Sequence, residues 1–175
     1  MRKINNWEKV KASDDFERLP AGGYVCTIIH VDDEPSKEYL HIEYDIAEGD
    51  HKNHWTETSE RFGWWGGDFY RSYKDSAVGM FKGFMNAVEE SNPGFKWEWD
   101  ETALEGKAIG VVLGEEEYIK NDGSVGTRLK VRSIKAAQDI RDKKFRIPKV
   151  KKLEEPADAA DVPDSMEEIT AAVPF

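Results

Sequence analysis

Between residues 55 and 74 the chain interleaves flat rings with cations: Trp55, Arg61, Phe62, Trp64, Trp65, Phe69, Tyr70, Arg71, Tyr73 and Lys74. Every nucleobase offers a π-face to an aromatic ring, and each stacked base contributes about 1–3 kcal/mol while nearby Arg and Lys hold phosphates. This span therefore suits stacking on a nucleic-acid strand. Gly63 and Gly66 flank Trp64 and Trp65, and a loop of that kind cannot easily bury both rings, so these two lead the stacking candidates. Aromatics also supply much of a core's buried area, and about half of the rings are expected inside. A second cationic set, Arg128, Lys130 and Arg132, follows the period-two spacing that puts side chains on one face of a strand, where it would form a phosphate track. The expected nucleic-acid contacts are Trp55, Arg61, Trp64, Trp65, Tyr70, Arg71, Lys74, Arg128, Lys130 and Arg132.

Other chemistries find less. His30, His41, His51 and His54 invite a metal, and His51 and His54 are three residues apart with Glu57 nearby. A pair on a polar turn lacks a defined third and fourth ligand, so no metal is expected. Glu115-Glu116-Glu117 reads as a solvated acidic run in a loop. Gly106-Lys107 lacks the remainder of a phosphate-binding loop. No nucleophile, base and orienting group fall into a local pattern, so neither catalysis nor a cofactor is expected. Cys26 is the single cysteine, which leaves no intrachain disulfide and no cysteine-based zinc site.

The elements that must position these residues follow from hydrophobic period and turn chemistry. Leu19-Pro20-Ala21-Gly22-Gly23 punctuates a polar lead-in over residues 1–19. Residues 24–31 form an apolar, β-branched strand, and residues 39–46 alternate cleanly, with Leu40, Ile42, Tyr44 and Ile46 on one face. A third strand is expected over 54–62. Val78, Phe81, Phe84, Met85 and Val88 then recur at three- and four-residue spacing, which predicts a helix over 75–91 ended by Asn92-Pro93-Gly94. Two more strands, 108–113 and 127–134, close the series. Three strands, a helix and two strands is the order of the OB-fold, a five-stranded partly open barrel that binds oligonucleotides. The fold expectation is thus mainly β: an OB-like barrel over residues 20–152, with a basic C-terminal extension and an acidic tail over 153–175.

A net charge of -10 over 175 residues argues against nucleic acid only when averaged. Residues 1–127 hold 14 basic and 26 acidic side chains, residues 128–152 hold 11 and 2, and residues 153–175 hold 0 and 7. A basic block stands directly before an acidic end, so a basic groove is compatible with the total. The tail is too poor in large apolar groups to offset its ordering entropy and is expected to be disordered. Val173-Pro174-Phe175 breaks its pattern, and with a free carboxylate it would suit a partner offering an apolar pocket and a cation. The absence of a long apolar run and of a signal-type start predicts a soluble, intracellular protein.

The tail resembles that of bacterial and phage single-stranded-DNA-binding proteins, whose acidic linkers end in a hydrophobic Pro-Phe tip; Pro174 and Phe175 match it. Ala171 and Ala172 depart from the pattern, since acidic residues usually precede the tip. The segments Tyr73-Lys74-Asp75-Ser76-Ala77-Val78-Gly79-Met80-Phe81-Lys82, Glu90-Ser91-Asn92-Pro93-Gly94-Phe95-Lys96-Trp97 and Leu104-Glu105-Gly106-Lys107 look like a family of phage proteins from Gram-positive hosts, encoded in replication or recombination modules. The resemblance implies single-stranded-DNA binding with little sequence preference in the host cytoplasm, and recruitment of replication or recombination proteins through Val173, Pro174 and Phe175. Homo-oligomerisation is left open. The rival expectation, favoured by the acidic balance of residues 1–127, is a phage interaction protein that binds or inhibits a host protein, as a DNA mimic.

Overall fold

The computed structural model describes residues 1–10, 12 and 18–153. The acidic tail and its Val173-Pro174-Phe175 tip lie outside the described residues, as does part of the lead-in. Five strands form one antiparallel sheet: β1 (Gly22–Glu34), β2 (Tyr39–Ile46), β3 (Asp68–Ser72), β4 (Ala108–Ile119) and β5 (Val125–Lys135), in the spatial order β3-β2-β1-β4-β5. Three α-helices accompany them among the described residues: α1 (His54–Phe62), α2 (Val78–Ser91) and α3 (Ala137–Arg141). The protein is therefore mainly β. Among the described residues no ladder joins β3 to β5, so the sheet is open along one seam.

Alternation decides which side of each strand is dry. On β2, Leu40, Ile42, Tyr44 and Ile46 point into the core while Tyr39, His41 and Glu43 point out. β1 is central, paired with β2 from Cys26↔Ile46 to Glu34↔Tyr39 and with β4 from Gly22↔Leu113 to Thr27↔Ala108. A bulge between Ile28 and His30 leaves Ile29 unpaired and outward. The core is completed by α2, whose Phe81, Phe84, Met85 and Val88 share one apolar cluster with Ile28, Ile42, Phe69, Val111 and Val131. Each such side chain contributes about 1.5–3 kcal/mol on burial. Asn92 ends α2 and ties it to the sheet, its side chain bonding both the amide and the carbonyl of Ala108.

Past Leu113 the strand β4 leaves β1 and continues with β5 as a two-stranded arm, turned at Asp122, which accepts hydrogen bonds from the Ser124 amide and hydroxyl. On the outside of β1 and β4, Ala137 and Ile140 of α3 pack with Val25 and Val112 in a second apolar cluster. The basic segment after α3 runs on across this surface. The Phe145 ring lies where a Cβ on Gly23 would be, 2.6 Å from it, and Lys151 pairs in parallel with Glu116 of β4.

The segment expected as the third strand is a helix. Asp45, buried at the end of β2, accepts hydrogen bonds from the amides of Trp55 (2.9 Å) and Thr56 (3.0 Å) and from the Thr56 hydroxyl (2.6 Å). A carboxylate reaching in from another element satisfies the free donors of the first turn. Gly63 then ends α1 in the left-handed region at φ 77°, its amide bonding Ser59 O. The third strand begins later, at Asp68.

Candidate nucleic-acid interface

The open seam between β3 and β5 gathers part of the expected contact set. Trp55, at the start of α1, is 8% exposed and belongs to the core. Its ring presses on the backbone of Gly66 and Gly67: a Cβ on Gly67 would come within 2.2 Å of Trp55 Cδ1 and 2.5 Å of Tyr44 O. These glycines serve to admit Trp55, not to expose their neighbours. Trp64 lies 6.4 Å from Trp55 between ring centroids, tilted by 54°, and is 54% exposed. Trp65 is half-buried against the core and donates its Nε1–H to Gly67 O at 3.0 Å. Of the two leading stacking candidates, Trp64 alone keeps most of a ring in solvent.

Arg71 is also inside. Only 2% exposed, its guanidinium sits 5.0 Å from the Phe69 ring centroid, and Nη1 donates to Tyr70 O at 2.9 Å. Arg71 thus packs the interior and offers no guanidinium fork to a ligand, while Trp55, though mostly buried, keeps an edge on the seam. Tyr70 is half-buried, stacked on His41 at 4.7 Å and met edge-on by Tyr39. Arg61 lies over the Phe62 ring at 5.4 Å, on the far turn of α1, and Lys74 is exposed after β3.

On β5 the three cations separate. Arg128 is exposed on the arm, donating to Glu116 Oε1 at 2.6 Å with its guanidinium 5.2 Å from the Tyr118 ring centroid. Arg132 falls at a register shift opposite Val112 and Leu113, its stem packed over Gly114. Lys130 turns to the seam. It lines a cleft of about 160 Å³ with Tyr44, Trp55, Gly66, Asp68, Leu113, Leu129 and Val131. Partial burial, then the neighbouring Arg128 charge, pull its pKa below the usual lysine value. So Trp55 and Lys130 share one cleft, and Trp64 stands beside it through Trp55 and Gly66.

The outward face of β1, β2 and β3 has the opposite character. Cross-strand pairs His30↔Glu43, Asp32↔His41 and Glu43↔Asp68 collect carboxylates around two imidazoles. His30 bonds Glu105 at 2.7 Å and Asp32 at 3.1 Å, and His41 bonds Asp68 at 2.8 Å. The bonded carboxylates, Glu105 for His30 and Asp68 for His41, hold both imidazoles' pKa values above the usual histidine value. Burial, then His51, pushes His54 the other way. Sequence reading singled out these histidines but not their partners, which only strand register brings together. Among the described residues no group of three His, Cys, Asp or Glu side chains is placed to hold a metal ion.

The Glu115-Glu116-Glu117 run is strand rather than loop, and cations or backbone donors meet each residue. Arg18 lies 3.9 Å from Glu115, Arg128 pairs with Glu116, and the Leu153 amide donates to Glu117 at 3.3 Å. In the basic extension Arg141 clasps Glu48, with Nη2 to Oε1 at 2.6 Å and Nε to Oε2 at 3.1 Å, while Lys143, Lys144 and Lys149 are exposed. Among the described residues no helix is long and apolar enough to cross a membrane. No protein-family model matches the chain, and no curated protein matches it.

Proposed function

We propose that this protein binds single-stranded DNA with little sequence preference, and that it does so as an OB-like domain whose barrel is open at the β3–β5 seam. The observation that carries the reading is the seam itself: exposed Trp64 stands beside a cleft that Lys130 lines. A ring and a cation at one opening are what a strand needs for stacking and phosphate contact. The spatial order β3-β2-β1-β4-β5, with α2 between β3 and β4, supports the OB-like reading. The strand would follow the seam and the arm, past Trp64, Lys130 and Arg128, because the outward β2–β3 face is lined by carboxylates that repel phosphate. Residues 154–175, with their seven negative charges, would recruit replication or recombination proteins through Val173, Pro174 and Phe175. That role matches the resemblance to phage proteins.

Fluorescence titration with oligo(dT) at low ionic strength tests this. Saturable quenching that weakens as salt rises is expected; no binding at low salt ends the proposal. Deleting residues 154–175 should leave affinity unchanged or raise it.

A second reading has its own support in the outward face, where Asp32, Glu43 and Asp68 line up across three strands as a strip of negative charge. Such a strip suits an acidic interaction protein that occupies a host protein's DNA-binding surface. Under it, single- and double-stranded DNA both fail to bind, and the chain competes DNA off a host nucleic-acid-binding protein.

A further inference from the structure

The seam cleft carries more than a general affinity for strands. Its volume, about 160 Å³, is close to the roughly 150 Å³ known to admit a single benzene ring. A six-membered ring fills that space, while a fused two-ring purine would extend out through its open mouth. Trp55 and Leu129 supply apolar contact on its sides, while most of the lining that faces the opening is polar. Two charged groups stand in the lining with opposite hydrogen-bonding capacity. Asp68 accepts only; one of its oxygens holds His41 and the other has no hydrogen-bond partner among the described residues. Lys130 donates only. It is half-buried and makes no ion pair or hydrogen bond among the described residues. A half-buried ammonium with no hydrogen-bond partner is free to donate to an acceptor that a ligand brings.

We infer that the cleft formed by Trp55, Asp68 and Lys130 is a base pocket that takes one pyrimidine of the bound strand in preference to a purine. Cytosine presents its N4 amino group to the Asp68 carboxylate and N3 to the Lys130 ammonium; thymine presents N3–H and a flanking carbonyl oxygen. Both pyrimidines carry the donor beside the acceptor that the pair requires. The inference rests on the proposed single-strand binding and adds to it a selective subsite, while Trp64 outside the cleft accepts any base.

Affinities of the full chain for dC12, dT12 and dA12, measured by fluorescence anisotropy at one fixed salt concentration, test it together with Lys130→Met and Asp68→Asn. The pyrimidine oligonucleotides should bind at least about tenfold tighter than dA12, and each variant should bring the ratio within about twofold. The variants separate readout from plain electrostatics. Removing a cation weakens and removing an anion strengthens binding to every phosphate backbone, so a purely electrostatic role moves all affinities together, in opposite directions, and leaves the ratio intact. Equal wild-type affinity for dA12 and dC12 overturns the pocket while leaving strand binding in place. A preference that survives in both variants also overturns it, because it then comes from strand flexibility. Failure of all three oligonucleotides to bind removes the function and the pocket alike. Should one variant not fold, the other still reports the ratio.

Discussion

The seam with its arm and the outward face of β1, β2 and β3 are built partly from the same strands and have opposite electrostatic designs. On the arm, acidic side chains are met by fixed cations: Glu116 by Arg128, Glu115 by Arg18. On the outward face the partners are histidines, His30 and His41, whose charge depends on pH. One region is therefore electrostatically settled over the physiological range and the other is titratable. A net charge of -10 conceals the difference. Where partners sit, rather than how many charges there are, decides what each surface can receive.

The comparison can be broken most severely at Asp45, which is buried and anchors α1. Asp45→Ala should cost about 3–4 kcal/mol, because it strands several donors in the interior; a urea melt would show it as a lowered midpoint. Oligonucleotide affinity should fall with it, since α1 carries Trp55 and leads to Trp64. Gly67→Ala comes next, at about 1–3 kcal/mol, because its Cβ would enter the Trp55 ring and the Tyr44 carbonyl. An unchanged melting temperature would mean that the loop relaxes freely.

Trp64→Ala sharpens the contrast without touching the core. It should weaken oligo(dT) binding by about 1–3 kcal/mol and leave the urea midpoint in place, while Trp64→Phe recovers part of the affinity. The smallest effect belongs to the outward face. The pKa of folded His41 lies above the usual 6.5, so its stabilising pair with Asp68 is fully present below that pH and is lost as pH rises through the folded value. Wild type should exceed His41→Gln in stability by more at pH 6 than at pH 8, within about 1 kcal/mol. His54, whose pKa is lowered, works in the opposite sense and is common to both proteins. Equal differences at the two pH values would show that the His41–Asp68 pair contributes nothing.

Much of the sheet was legible because one face of each strand is buried, and burial writes a period into the residues. The alternation of residues 39–46 and the helical spacing of Val78 to Val88 are of this kind. Residues 54–62 misled because the decisive contact comes from Asp45, in a different element, and leaves no mark on the local pattern. Glu115-Glu116-Glu117 reads as loop for a similar reason: its partners, Arg128 and the Lys151 backbone, lie across strands. At the site, the exposed Trp64 and the seam-facing Lys130 were within reach of spacing arguments. Burial of Trp55 and Arg71 was not, nor were the His–carboxylate pairs, which depend on register and on the bulge after Ile28.

The parallel pairing of Lys151 with Glu116 fixes a point of departure. Its amide bonds Glu115 O at 2.9 Å, and the Glu117 amide bonds its carbonyl at 2.8 Å, so the backbone is moored to the arm just before residue 154. The 22 residues beyond Leu153 therefore start from the arm itself. Fully extended they span at most about 75 Å. If those residues recruit a partner as proposed, the partner is held within that distance of Leu153 on the arm.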